Sequence, residues 1–412
     1  MNPGGSAGGR WRTLTAAPHR LLFFTGIVNL GLASAGWLLH LAARLTGVPL
    51  AALDLSVAPI WAHSFPMLFT VLPAFIAGFL YTTFPRWMDG PQVPRPAFLA
   101  TAIALVAATA AWTVGLGTGT PMLLTACALA VAGLATGLVA LLRVLVDART
   151  VVSHAVVAST AVAIGLVAAC GFGWGISTGD EFALHFAVRT ALWGFLLPVF
   201  FAVCHRMIPF FSQNALPDYV AWRPTWALVA VVGLAWSRLL LGTAGLLQPL
   251  WWLDAALALV SAACAIRWTS LRARGNPLLW TLYVGAAWLP VAMTLQAVRD
   301  GTYAATGQWV LGRASIHALA VGCFGSLLVA MVTRVTAGHS GRPLRMDGLA
   351  LACFAGVQFA AITRVASELV VSPVAMSRLL VASAAFWFLA FAAWSVRNAG
   401  IYLSPRVDGR PG

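Results

Sequence analysis

The chain has 412 residues, is 60% hydrophobic and only 9% charged, and carries a formal net charge of +14. That balance is too apolar and too charge-poor for a soluble protein of this length. The positive charge is entirely arginine and is concentrated in the loops, so it argues for membrane topology and against nucleic-acid binding.

Apolar runs of about 20 residues, the length that crosses a bilayer core, recur along the whole chain. They lie near 21–43, 60–84, 97–116, 121–143, 151–175, 184–210, 225–244, 250–270, 277–299, 313–336, 347–370 and 375–398. The runs are too long for strands and lack period-two alternation. The expected fold class is therefore an all-α polytopic membrane protein of about 12 transmembrane helices. Residues 1–18 are glycine-rich and basic, and read as a disordered cytoplasmic N-terminus. Residues 19–400 form one transmembrane domain, and 401–412 a cytoplasmic tail. The first run is long enough to stay in the membrane and lacks a convincing cleavage site. With the N-terminus inside, 18 of the 25 arginines fall on the inner side, which predicts that both termini are cytoplasmic.

The connections are mostly short, so any chemistry lies within the bundle or at its faces. Turn-rich inner loops occur at 85–96, 212–224 and 336–345. Trp37, Trp61, Trp87, Trp174, Trp222 and Trp251 stand near span ends, as expected of an aromatic belt. The six cysteines form no C-x-x-C or C-x-x-C-H, which argues against a zinc ribbon and a covalently attached haem.

The second, sixth and tenth spans share one layout: a histidine near the outer end and an arginine near the inner end. The pairs are His63/Arg86, His185/Arg206 and His317/Arg334. This recurrence every fourth helix is compatible with three quasi-equivalent four-helix units. Histidine is rare inside a bilayer and marks a candidate functional site there. His40, His63, His185 and His317 fall toward the outer face; His19, His154, His205 and His339 fall toward the inner face. His63 and His317 lie about 5 Å deep on helices that run in the same direction. Opposed neutral imidazoles are what a six-coordinate haem iron needs, so these two are the candidate axial ligands of a haem b. Arg189 and Arg313 sit four residues from His185 and His317 and share their helix faces, as propionate partners would. His185, together with His40, is a candidate second metal ligand. The plainer reading, a histidine bonded to a nearby carbonyl and an arginine snorkelling to water, stays open at each position. On the inner side, His205, Arg206, Asn214, Arg334, His339 and Arg342 are candidates for a polar site. Pro209 is expected to end or kink the sixth helix. No carboxylate pair, G-x-S-x-G or H-E-x-x-H is present, so a carboxylate-driven pump and a hydrolase find no support.

Four segments resemble the NnrS family of bacterial membrane proteins. They are MLFTVLPAFIAGFLYTTFPRW (67–87), HRMIPFFSQNAL (205–216), LLWTLYVGAAWLP (278–290) and IHALAVGCFGSLLVAMVTRVTAGHSGRPL (316–344). The resemblance implies a twelve-helix protein of the bacterial inner membrane that binds haem and copper. It also implies a link to nitric oxide metabolism and resistance to nitrosative stress. By position, Arg206, Pro209 and Asn214 match the sixth-span motif, and His317, Arg334, His339, Gly341 and Arg342 the tenth. The second span departs from the pattern: Phe65 and Pro66 stand where the family carries a second histidine and a glutamate, and Tyr283 where it often has histidine. The layout is also similar to haem-copper oxidase subunits, in architecture alone. The implied partners are the lipid bilayer and a small diatomic ligand such as nitric oxide, with no nucleic acid. Two other classes fit the same twelve spans: a haem-free transporter of a small anion or metal complex, and an accessory protein that assembles a respiratory complex.

Overall fold

The computed structural model describes residues 7–47 and 55–409. All twelve predicted spans are helices: Pro18–Thr46, Pro59–Met88, Arg95–Thr118, Thr120–Val146, Ser153–Thr178, Glu181–Ala215, Thr225–Thr243, Leu250–Trp268, Pro277–Thr306, Ala314–His339, Gly348–Ala366 and Pro373–Tyr402, numbered spans 1 to 12 in chain order. The protein is an all-α, multi-pass membrane protein. Several helices extend beyond the apolar runs because polar caps continue the hydrogen bonding past the hydrophobic stretch. Asp180 accepts bonds from the Phe182 and Ala183 amides and opens span 6, and Asp347 does the same for Ala350 in span 11. Gly47, Gly179 and Gly307 close spans 1, 5 and 9 in the left-handed conformation that glycine adopts without strain.

The structure corrects three expectations. Part of the stretch expected to be disordered forms a helix, Ala7–Leu14, and Arg95 donates to Thr15 beside it at 2.6 Å. Residues 1–6 and 410–412, with Arg410, lie outside the described residues. Pro209 lies inside span 6, which runs on to Ala215, so of the two expected outcomes, an end or a kink, the end does not occur. Trp37 and Trp61 turn toward the protein, where each packs on a histidine of the outer set.

Nine spans surround three. The most apolar windows of spans 2, 6 and 10 are 89%, 72% and 78% buried, against at most 56% in any other span. Around them the remaining helices pack in the cyclic order 1, 3, 4, 5, 7, 8, 9, 11, 12 and back to 1. Spans 9 and 11 meet through Trp288, whose indole donates to Gln358 at 2.8 Å. Arg20, in the first turn of span 1, donates to the carbonyls of Tyr402 and Ser404 at 3.1 and 2.8 Å. Both ends of the bundle therefore lie on one face, the terminal face; the opposite one is the distal face.

Each of the three central spans contains a π-helical stretch: Met67–Val71, Thr190–Leu196 and Ala318–Gly325. In spans 2 and 6 a Leu-Pro step, Leu72-Pro73 and Leu197-Pro198, comes directly after it. Proline has no N–H to give and its ring crowds the carbonyl four residues earlier, so a wider turn relieves both problems. The carbonyl so affected in span 6 is that of Gly194, which accepts from the Trp236 indole at 3.1 Å. Unpaired backbone polar groups are costly in a bilayer, so such outside donors are what allow the distortion.

A buried ionic network ties spans 7, 8 and 9 to the start of span 10. Arg238 donates to Asp254 at 2.5 Å and to Asp300 at 2.8 Å. Asp300 also accepts from Arg299 and Gln296, and Gln296 accepts from Ser315, two residues before His317. The Arg238 guanidinium lies over the Trp193 ring of span 6, 4.2 Å from its centre. Removing one partner of such a network leaves uncompensated buried charge. Arg238→Leu is therefore expected to cost about 3–5 kcal/mol, read as a lower thermal midpoint in detergent. Adding Asp254→Leu and Asp300→Leu should restore most of the loss.

Candidate functional site

The distal half of the core encloses a cavity of about 320 Å³ bounded by spans 1, 2, 6, 10, 11 and 12. His63 and His317 both line it, with Arg44, Arg313 and Arg364 among the lining residues. The rest of the wall is largely apolar. His317 sits where span 10 passes from its first α-turn into the π stretch. Its Nδ1–H donates to the Arg313 carbonyl at 3.0 Å, since a carbonyl can only accept. In the neutral ring this leaves the Nε2 lone pair free, the tautomer a metal-binding histidine adopts. His63 lies against Trp37 of span 1, with ring centres 4.4 Å apart and planes 19° from parallel. That stack fixes the ring's orientation without occupying either nitrogen. Arg364 is held by Glu368, one helical turn later, at 2.7 Å.

The structure thus joins His63, His317 and Arg313, which the sequence placed together, and adds Arg44, Arg364 and Trp37, which it did not. Arg364 and Arg44 belong to spans 11 and 1, whose sequences show only an outer arginine of the usual snorkelling kind. Arg189 is exposed and does not line the cavity; its neighbour Val188 does. His185 is exposed and meets the Trp61 edge at 4.8 Å, outside the cavity. His40 is buried and stacks on Trp37 at 5.5 Å, away from the cavity lining. The four outer histidines therefore do not form one ligand set. Among the described residues, no group of three or more His, Cys, Asp or Glu side chains is placed to hold a metal. At Phe65, where the family pattern has a second histidine, this chain carries an aromatic ring packed among others. Residue 65 lies on the side of span 2 away from His63, where Phe65 stacks on Trp112 at 4.0 Å and packs on Phe69 and Phe172. Aromatic packing fills the ground where a second histidine would point.

Beneath the cavity the three central spans close on apolar side chains. Phe200 and Phe324 stack at 4.2 Å. One turn further, an apolar space of about 50 Å³ is lined by Phe75, Val199, Val203, Leu327, Met331 and neighbours from spans 2, 6 and 10 alone.

The predicted inner polar site resolves into separate groups on the terminal face. His205 is fully buried; its Nε2–H donates to the Pro224 carbonyl at 3.1 Å, and its Nδ1 accepts from His154 at 2.9 Å. His339 accepts at Nε2 from Arg86 at 3.0 Å and packs against His19 at 4.6 Å. Arg206 covers the Trp87 ring and Arg334 the Phe211 ring, at 4.9 and 4.2 Å. Asn214 is exposed, and Arg342 lies just beyond span 10 with its amide bonded to the Ala337 carbonyl at 3.1 Å. Ser212 is buried and bonded to the Ile208 carbonyl and the Tyr283 hydroxyl.

His40 offers a direct check on these roles. Among the described residues, both its ring nitrogens are buried without a partner. Replacing such a group by an apolar ring of similar shape is close to neutral or stabilising. His40→Phe is accordingly expected to keep or raise the thermal midpoint, whereas Trp37→Leu, which removes two aromatic stacks, should lower stability by about 1–3 kcal/mol. A drop of more than about 5 °C for His40→Phe would show that His40 has a bound partner.

Comparison with curated proteins gives no match. The family model described as NnrS protein matches residues 13–406, a stretch that takes in every span and both faces. The chain belongs to the NnrS family.

Proposed function

We propose that this protein holds a haem b in the distal cavity, where His63 and His317 would ligate the iron, and acts in nitric oxide metabolism or resistance to nitrosative stress. One observation carries the reading. Two histidines on parallel central spans line one cavity, and the better defined of them has its Nε2 lone pair free. Haem presents a flat apolar ring and two carboxylates, and the cavity offers a largely apolar wall with Arg44, Arg313 and Arg364. When bound, the haem supplies an iron centre able to exchange electrons and to take part in the chemistry of diatomic ligands.

The chain's own residues do the positioning. The Arg313 carbonyl orients His317 and raises the basicity of its free nitrogen. Trp37 holds the His63 ring by stacking. Arg313 and Arg364 supply charge-assisted donors for propionates, and Glu368 keeps Arg364 in place. The apolar seal below the cavity keeps water from reaching it through the bundle centre. That seal also favours an embedded binding site over a passage for a small anion. The arginine bias toward the terminal face supports cytoplasmic termini in a bacterial inner membrane.

The protein purified after haem-replete expression should show a Soret band with the spectrum of a low-spin, bis-histidine haem. His63→Ala and His317→Ala should each lose the band or convert it to a five-coordinate spectrum. Arg364→Met should keep the ligation but release haem to apomyoglobin about tenfold faster. No Soret band, or an unchanged spectrum in both histidine variants, refutes the site. Cells lacking the protein should grow more slowly under a nitric oxide donor, and His317→Ala should not rescue them.

A further inference from the structure

The terminal face holds a concentration of basic groups that the haem reading does not use. His19, Arg20, Arg86, His339, Arg342 and Arg406 converge where the start of span 1, the ends of spans 2 and 10, and the C-terminal segment meet. Arg86 bonds to His339 at 3.0 Å, and His19 packs on the same ring at 4.6 Å. Arg406 donates to the His339 carbonyl at 3.0 Å, and the Val407 amide to the Ser340 carbonyl at 3.1 Å. Arg20 reaches the Tyr402 and Ser404 carbonyls and lies close enough to Arg342 and Arg406 to be repelled by both.

Among the described residues, the group is short of acceptors. Four guanidinium groups gather there, and the nearby carboxylate, Asp408, is gripped at both oxygens by the Arg406 fork at 2.8 and 2.5 Å. Arg86 can only donate, so His339 accepts at Nε2 and carries its proton on Nδ1 in the neutral ring. Among the described residues, that Nδ1 is buried without a partner, as are His19 Nδ1, Arg20 Nε and Arg342 Nη1. His19 and Arg20 are only 5% and 2% exposed. Buried donors without partners are costly, and like charges gathered without a counter-ion repel. A small oxyanion answers both at once: its oxygens accept several N–H groups and its charge offsets the arginines.

We propose that this cluster is a binding site for a phosphate-type oxyanion, with Arg20, Arg342 and His339 as donors and Arg86 and Arg406 as the surrounding field. The chemistry is shared by free phosphate and by the phosphodiester of an anionic lipid headgroup, both of which reach this face.

The test uses the full-length protein in a neutral detergent and tracks thermal stability. Inorganic phosphate or short-chain phosphatidylglycerol is titrated against sodium chloride of matched ionic strength. The native protein should show a saturable stabilisation absent with sodium chloride. Arg342→Gln and His339→Gln should each weaken the response about tenfold; Arg342 lies outside the spans, so its variant should fold. Saturation by phosphate identifies a free ion as sufficient, and saturation by phosphatidylglycerol alone identifies the headgroup; either supports the site. An equal response to sodium chloride, or native responses in both variants, overturns it. Native mass spectrometry of the two variants gives a second reading, because a co-purified phosphate or anionic lipid should be lost from both.

Discussion

The structure depends on three distorted helices being buried by nine others. A bilayer gives no water to satisfy a backbone carbonyl, so a helix can widen into a π turn only where neighbours supply donors or shield the gap. Spans 2, 6 and 10 are the most buried helices of the bundle and carry the π stretches. The distortion falls in their distal halves, next to His63, Arg189 and His317. A π turn rotates the helix on its N-terminal side relative to the helix on its C-terminal side. The residues just before the turn can thus face a direction that a regular helix would not give them.

Around this core the polar groups are sorted by face. On the distal side, buried charge is paired in the Arg238–Asp254–Asp300 network, and Arg44, Arg313 and Arg364 line a cavity that also holds two imidazoles. The network reaches span 10 through Gln296 and Ser315, so the same buried bonds that tie spans 7 to 9 also anchor the turn from which His317 projects. On the terminal side, among the described residues, positive charge outruns negative charge and several buried donors lack partners. Between the two lies an apolar layer built from the central spans alone. The protein thus has two polar regions of different chemistry, separated by a layer that neither ions nor water cross readily.

Much of the distal site was legible in the chain. A histidine near the outer end of a span is conspicuous against an apolar background, and His63 and His317 are that kind of residue. The helices' common direction put them at one level, which was enough to pair them. His185 has the same depth but does not line the cavity, because depth does not set rotation: its side chain is exposed and meets the edge of Trp61. Arg189 is absent from the cavity lining for the same reason, with Val188 facing the cavity in its place. Arg364 and Arg44 looked like ordinary interfacial arginines, because nothing in their own spans tells which neighbour they meet. The Leu-Pro steps at 72–73 and 197–198 were a readable sign of the helical distortion, whereas span 10 reaches the same geometry with no proline to announce it.

The sequence by itself determined the class, the number of crossings, the bias of arginine to one face and the family. Those arise from hydropathy, charge and local motifs, which are properties of segments. Only the tertiary structure decided which spans are central, which of the four outer histidines share a cavity, and how the inner polar residues divide into separate groups. These depend on the rotation of each helix about its axis and on its neighbours. Packing and buried hydrogen bonds fix both, and a one-dimensional pattern of apolar residues leaves them free when a helix is apolar on every side.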